Sequence, residues 1–223
     1  MVDLRLYAIL DPECAGGRTL PDIARSVASG GATLFQLRDK LGTTREMIER
    51  ARAIRSVLAP AEIPLVINDR VDVALAAGAE GVHIGWDDMS PLDARQLLGP
   101  KAIIGLSIKT IAQVQAAPLD LLDYVCIGGV YATTSKDNPD PPVGIPGLRT
   151  ILSAARERAP HLPIGAIAGI NESNAGDVVA AGADGVAVIS ALSITSDPAK
   201  AARRLREIVD QNLLKHDPEI RAR

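Results

Sequence analysis

Short apolar runs in this sequence repeatedly stop at side chains that could do chemistry. "GATLFQLRDK" delivers Gln36, Arg38 and Lys40; "LVINDR" delivers Asn68 and Asp69; "HIGWDD" delivers Asp87 and Asp88. "GLS" closes on Ser107, and "GGVYATTSKDNPDPPVG" carries Thr133, Ser135 and Lys136. Two-residue alternation sets Gln36, Arg38 and, where the chain stays extended, Lys40 on one side of their strand. Burying such groups without an anionic partner is costly. Asp69, Asp87 and Asp88 offer the carboxylate oxygens preferred by a hard cation such as Mg²⁺, which keeps positions for water and substrate phosphate. Arg38, Lys40 and Lys136 are matching cations, able to clamp phosphate oxygens and developing negative charge. A site with both suits a diphosphate. The competing reading is that Asp69 and Asp88 only cap the helices that follow. A second anion site is suggested by "AGINESNAG" and "ISAL", which lead into helix starts where backbone N–H groups attract phosphate. There Gly169 permits close backbone approach and Ser190 adds a hydroxyl, although Gly and Ser also make ordinary turns.

The elements that must hold these groups alternate from end to end. Strands are expected at 6–10, 32–38, 65–68, 81–85, 103–107, 124–128, 164–169 and 185–190. Their nearly continuous apolar character fits a parallel sheet covered on both faces. Between them lie stretches with helical spacing, such as "LPDIARSVASG", "TREMIERARAIRSVLA" and "PAKAARRLREIVDQNLL". "ALAAGAEGVHIG" and "VVAAGADGVAVIS" resemble each other, as repeated half-barrel units would. Eight such units fit a (β/α)8 TIM barrel, one α/β domain spanning residues 1–223 with a polar tail, 215–223, that should fray. An open doubly wound sheet is the alternative, since strand order is not legible in one sequence. In a barrel the chemistry sits at the C-terminal strand ends, where the polar groups above fall, and phosphate is often held after strands seven and eight.

Composition narrows the class. With 2% aromatic residues, the core must be aliphatic; a net charge of −3 gives no electrostatic case for nucleic acid. No apolar run reaches the length of a membrane span, and "MVDLRLYAIL" lacks a signal-peptide layout. Cys14 and Cys126 have no metal-type or redox-type spacing, so buried, inert thiols in a reduced cytoplasmic setting are expected. No GxGxxG or GxxxxGK[ST] run is present, which argues against dinucleotide and Walker-type phosphate sites.

From about residue 6 to residue 206 the chain resembles the thiamine-phosphate synthase family. The resemblance is carried by "GATLFQLRDK", "LVINDRVDVALAAGAEGVHIG", "GLSIKT", "TTSK", "GAIAGI" and "AGADGVAVIS", in that order. It implies a transferase of thiamine biosynthesis with Mg²⁺ as cofactor. Such an enzyme joins 4-amino-5-hydroxymethyl-2-methylpyrimidine diphosphate to a thiazole phosphate, giving thiamine phosphate and pyrophosphate. The implied chemistry is dissociative: pyrophosphate departs, the aminopyrimidine stabilises the methylene cation, and the thiazole nitrogen captures it. By resemblance Gln36, Arg38, Lys40 and Asn68 hold the pyrimidine diphosphate, Asp69 and Asp88 ligate Mg²⁺, and Ser107 and Lys136 contact pyrimidine or pyrophosphate. Thr133 and Ser135 would touch the thiazole phosphate, with Gly169, Ile189 and Ser190 offering backbone or hydroxyl donors. Arg38, Ser107 and Lys136 are the residues expected to act in catalysis.

The chain departs from the family pattern in places. "ATTSK" replaces a Pro–Thr–x–Thr–Lys run, Lys109 stands where His is common, and Trp86 takes an often polar position. His83 is expected to support the site from behind rather than react, His161 and His216 to lie at the surface, and Arg70 to belong to the next helix. The Pro-rich loop 137–146 reads as a lid or as a plain turn. Competing functions are a thiazole tautomerase-like isomerase and a non-catalytic paralogue that binds thiazole phosphate or thiamine phosphate. The partners expected are small-molecule substrates, with neither nucleic acid nor membrane, and a homo-oligomer is compatible with such a barrel.

Overall fold

β1 (Leu6–Leu10) pairs in parallel with β2 (Leu34–Leu37) on one side and with β8 (Gly185–Val188) on the other, which closes the sheet. Between them run β3 (Leu65–Asn68), β4 (Gly81–Ile84), β5 (Ile103–Ile108), β6 (Tyr124–Ile127) and β7 (Ile164–Ile167), in chain order around a closed barrel. The computed structural model describes residues 1–133 and 141–216. The closed order is the (β/α)8 arrangement and excludes the open doubly wound sheet.

Alternation along each strand separates two apolar layers. Tyr7, Ile9, Leu34, Val66, Tyr124, Cys126, Ala187 and Ile189 cluster in the lumen, together with Leu4. Leu6, Ala8, Leu10, Phe35, Leu37 and Leu65 face outward into the strand–helix layer. That outer layer is closed by α1 (Leu20–Ser29), α2 (Thr44–Leu58), α3 (Val71–Ala77), α4 (Pro91–Leu98), α5 (Ile111–Ala116), α6 (Gly144–Arg158) and α7 (Ala175–Ala180). α8 (Ser190–Ser193) and α9 (Pro198–His216) complete it. The sequence dictates α2 most plainly. Thr43 and Glu46 form a reciprocal capping box at its start, and Met47, Ala51, Ile54 and Leu58 recur on one buried face. Full burial of Ile54 or Leu58 contributes about 1.5–3 kcal/mol each, so a polar residue at either position would detach the helix from the barrel.

The strand ends differ from expectation where the chain turns toward the mouth. β2 stops at Leu37, and Asp39 accepts the Gly42 N–H at 2.8 Å, which holds the chain in a bend that begins at Lys40. β7 stops at Ile167, because Ala168 and Gly169 take positive φ values of 92° and 64°. β8 gives way at Ile189 to the four-residue α8, so two helices follow the last strand rather than one. α9 continues to His216; residues 217–223, most of the expected frayed tail, lie outside the described residues.

Candidate active site

The turn after β3 places the acidic group. Asp69 adopts φ 60°, and its neighbours close a tight turn in which the Arg70 N–H donates to the Asn68 carbonyl at 2.7 Å. Positive φ is uncommon outside glycine and is tolerated best by Asp and Asn. The Asp69 carboxylate is ion-paired with the Lys40 ammonium and accepts a hydrogen bond from Asn68 Nδ2 at 2.7 Å. Burial pushes the Asp69 carboxyl up from the usual carboxylate range; Lys40 draws it down, and the neighbouring Asp88 carboxyl pushes it up further. Asp88 itself accepts the Gly85 N–H at 2.7 Å. Neither residue caps a helix: Arg70 stands at the α3 start without a side-chain cap, and Ser90 caps α4. Arg70 instead forms an ion pair with Asp72 at 2.5 Å.

The partly buried Asp69 carboxylate has the exposed Asp88 carboxylate beside it, a like-charge contact that a hard divalent cation would relieve. Among the described residues no three His, Cys, Asp or Glu side chains converge as a metal cluster. Mg²⁺ commonly takes only one or two protein carboxylates and fills its remaining positions with water and substrate phosphate. The donor set of Asp69 and Asp88 therefore fits it.

Beside this turn, Arg38 is ion-paired with Asp11, at the end of β1. The Asp11 side chain is 2% exposed and that of Arg38 16%, so this is a buried pair, and Asp11 also accepts the Glu13 N–H at 3.0 Å. Deeper in the lumen a line of hydrogen bonds joins five strands. Gln36 Nε2 donates to the Tyr7 hydroxyl, which meets the Tyr124 hydroxyl at 2.8 Å. Tyr124 meets His83 Nδ1 at 2.9 Å, and His83 Nε2 meets Ser107 Oγ at 2.9 Å. Tyr7 and Tyr124 pack edge to face with ring centroids 5.7 Å apart, while Tyr124 stacks on His83 at 5.5 Å. Gly105 makes room for this: a Cβ there would lie 2.1 Å from Tyr124 Cζ. Burial drives both phenols well above the ordinary tyrosine value, so they remain neutral.

Two cavities open above that line. A small one of about 40 Å³ is lined by Gln36, Arg38, Asn68, His83 and Ser107, together with apolar neighbours. A larger one of about 450 Å³ is lined by Thr133, Gly169, Asn171, Ile189 and Ser190, among others. Ile167 and Ile189 belong to both, so the cavities adjoin across these two side chains. The backbone at Gly169 lies against the segment after β6, where a Cβ would come within 2.4 Å of the Ala132 carbonyl oxygen. Asn174 Nδ2 holds the Gly169 carbonyl at 2.9 Å, and Asn174 Oδ1 accepts the Asn171 N–H at 2.8 Å.

The predicted residues therefore fall into three groups around one mouth: Lys40, Asp69 and Asp88; Gln36, Arg38, Asn68 and Ser107; and Thr133, Gly169, Ile189 and Ser190. Ser135, Lys136 and residues 137–140 of the Pro-rich loop lie outside the described residues. Trp86 is an exposed residue of the loop after β4. Sequence reasoning passed over Asp11, Tyr7, Tyr124 and Asn174. For Asp11 the available signal was a carboxylate ending an apolar strand, as at Asp69. For the tyrosines it was their rarity in an aliphatic chain.

Comparison with known proteins gives one answer. The profile of a family described as thiamine monophosphate synthase matches residues 6–192. A thiamine-phosphate synthase of Agrobacterium fabrum is 52% identical over 217 residues, covering 97% of this chain and 99% of the relative. Another from Moorella thermoacetica is 45% identical over 204 residues, covering 92% and 95%. The solved structure of a thiamine phosphate pyrophosphorylase from Pyrococcus furiosus superposes with a TM-score of 0.82 at 35% identity, covering 95% of this chain and 98% of that one.

Proposed function

The chain belongs to the thiamine monophosphate synthase family, and from that premise we propose how its barrel mouth carries out the family's transferase reaction. The reaction couples 4-amino-5-hydroxymethyl-2-methylpyrimidine diphosphate with thiazole phosphate to give thiamine phosphate and pyrophosphate. The observation that carries the site assignment is the pair of adjoining cavities. The smaller, with Gln36, Asn68 and Ser107, would take the polar edge of the pyrimidine while the rest of the ring lies in the mouth; the larger, with Thr133, Gly169 and Ser190, would take the thiazole phosphate. The reacting carbon and nitrogen would then meet beside Ile167 and Ile189.

Asp69 and Asp88 would hold Mg²⁺, which when bound takes up negative charge on the departing pyrophosphate. Arg38 and Lys40 flank the same edge and would pair with diphosphate oxygens; Lys136 would join them. Arg38 is held by Asp11, so its guanidinium is aimed before substrate arrives. Lys40 would leave Asp69 for the diphosphate when a metal takes that carboxylate. Ile9, Ile167 and Ile189 line the smaller cavity and would keep water from the methylene cation until the thiazole nitrogen reaches it. No side chain has to remove a proton from carbon in this scheme, which suits a mouth whose one histidine is engaged with Tyr124 and Ser107.

The test is an assay of purified protein with both substrates and Mg²⁺, following thiamine phosphate and pyrophosphate. Stoichiometric formation of both is expected, with loss on chelation and a fall of at least a hundredfold in Asp69→Asn. Absence of product at high enzyme concentration would overturn the reading, and full activity in Asp69→Asn would overturn the metal site. No helix among the described residues is long and apolar enough to cross a membrane.

A further inference from the structure

The line from Gln36 to Ser107 has a direction. A phenol carries one proton, and a neutral imidazole has one donor and one acceptor. Gln36 Nε2 donates to Tyr7, so the Tyr7 proton must go on to Tyr124. The Tyr124 proton then goes to His83 Nδ1. That leaves the imidazole proton on Nε2, where it is donated to Ser107 Oγ. Ser107 therefore accepts from behind and keeps its own hydroxyl hydrogen for the cavity. Gln36, having turned its amide nitrogen to Tyr7, keeps Oε1 for the cavity. Every link but the last residue is nearly sealed from solvent: Tyr7 is 1% exposed, Tyr124 0%, Gln36 2% and His83 6%. In such surroundings one reversed link would leave an unpaired donor or two facing protons, so the whole line holds a single sense.

We propose that Tyr7, Tyr124 and His83 are positioning residues that set the hydrogen-bonding polarity of the smaller cavity, acceptor at Gln36 and donor at Ser107. None of the three has to touch the ring that binds there. The polarity they impose matches a flat heterocycle with an exocyclic amine, a donor, next to a ring nitrogen, an acceptor. It opposes the same ring with an oxo group and a ring N–H, whose pattern is the reverse. The proposal rests on the assignment of this cavity to the aminopyrimidine and adds the reason it would distinguish amino from oxo. Turning the Gln36 amide over would reverse every proton in the line, place the imidazole proton on Nδ1 and favour the oxo ring instead.

Two measurements test this. The first is ¹⁵N NMR of His83 in the free protein, with His83→Gln used for assignment. The Nε2–H tautomer is expected; the Nδ1–H tautomer would overturn the proposal. The second compares Tyr7→Phe and Tyr124→Phe, each checked for folding by circular dichroism, for binding of the 4-amino pyrimidine diphosphate and its 4-oxo analogue. Losing one buried hydrogen bond corresponds to about a tenfold change. KM for the amino substrate should rise about tenfold while KM for thiazole phosphate stays put, and preference over the oxo analogue should fall by a similar factor. Folded variants that keep the wild-type KM and preference would overturn the proposal. If Tyr124→Phe does not fold, Tyr7→Phe and the tautomer of the unaltered protein decide the matter. Failure of the function itself would look different: the unaltered protein would make no thiamine phosphate, whatever the histidine tautomer.

Discussion

Lys40, in the bend after β2, is ion-paired with Asp69, in the turn after β3. A cation from the protein thus rests on a carboxylate that the proposed metal needs. The Lys40 side chain is 47% exposed, so water screens the pair and it contributes no more than about 1 kcal/mol. Replacing it by Lys40→Met should tighten Mg²⁺ binding about fivefold, read as the metal dependence of thermal unfolding. Turnover should fall at the same time, because the diphosphate loses a partner. Weaker Mg²⁺ binding in the variant would show that the ammonium does not compete with the metal.

The Asp11–Arg38 pair is a different case because it is buried. Removing one member of a buried pair leaves a charge without compensation, at a cost of about 3–5 kcal/mol. Asp11→Ala should therefore destabilise the fold by about that much in urea unfolding. Adding Arg38→Met should recover part of the loss, a coupling that the double-mutant cycle reads directly. Additive losses would mean that the two side chains do not depend on each other.

Gly169→Ala should damage the larger cavity selectively. The position has φ 64°, and a Cβ would sit 2.4 Å from the Ala132 carbonyl oxygen. The strained backbone costs about 1–2 kcal/mol, and the segment after β6 must shift away. KM for thiazole phosphate should rise at least tenfold while KM for the pyrimidine diphosphate changes little. Equal changes in both constants would argue against two separate subsites.

The protein has three tyrosines, and the two in the lumen should be silent in an alkaline titration of the folded state. Tyr7 and Tyr124 have folded values raised above the unfolded one, so their contribution to stability is complete below about pH 10. It is lost as pH rises from there toward the folded values, at about 1.4 kcal/mol per pH unit for each. Ultraviolet absorbance should show Tyr131 titrating first, itself somewhat raised by burial, and the other two only with unfolding. Three independent titrations in folded protein would place the lumen tyrosines in contact with water.

The barrel was legible because its strands are short, apolar and separated by helical spacing, and β1 and β3 fall where the pattern puts them. The second, seventh and eighth strands end earlier than the apolar pattern implies, because a side-chain-held bend after β2, positive φ at Ala168 and a helix start at Ser190 stop them. Ala168 carries no mark of its 92° in its residue type. The candidate site residues are polar groups at strand ends, and those described stand around one mouth. What stayed hidden was pairing across the barrel: Tyr7 and Tyr124 are 117 positions apart, and two aromatic residues in apolar runs read as core. Asp11 was missed for the same reason, since its partner Arg38 comes from another strand.

Closure of the sheet has a consequence for how the chain comes to be folded. Leu6 is registered against Val186, 180 positions later. The first strand to leave a ribosome must therefore wait for the last before its second edge is covered. Until then β1 and the growing edge of the sheet expose unpaired backbone groups, the condition under which partly made chains aggregate. Such long-range pairing is slow to form. Synthesis of this protein should consequently depend more on chaperone capacity than the stability of the finished barrel would suggest.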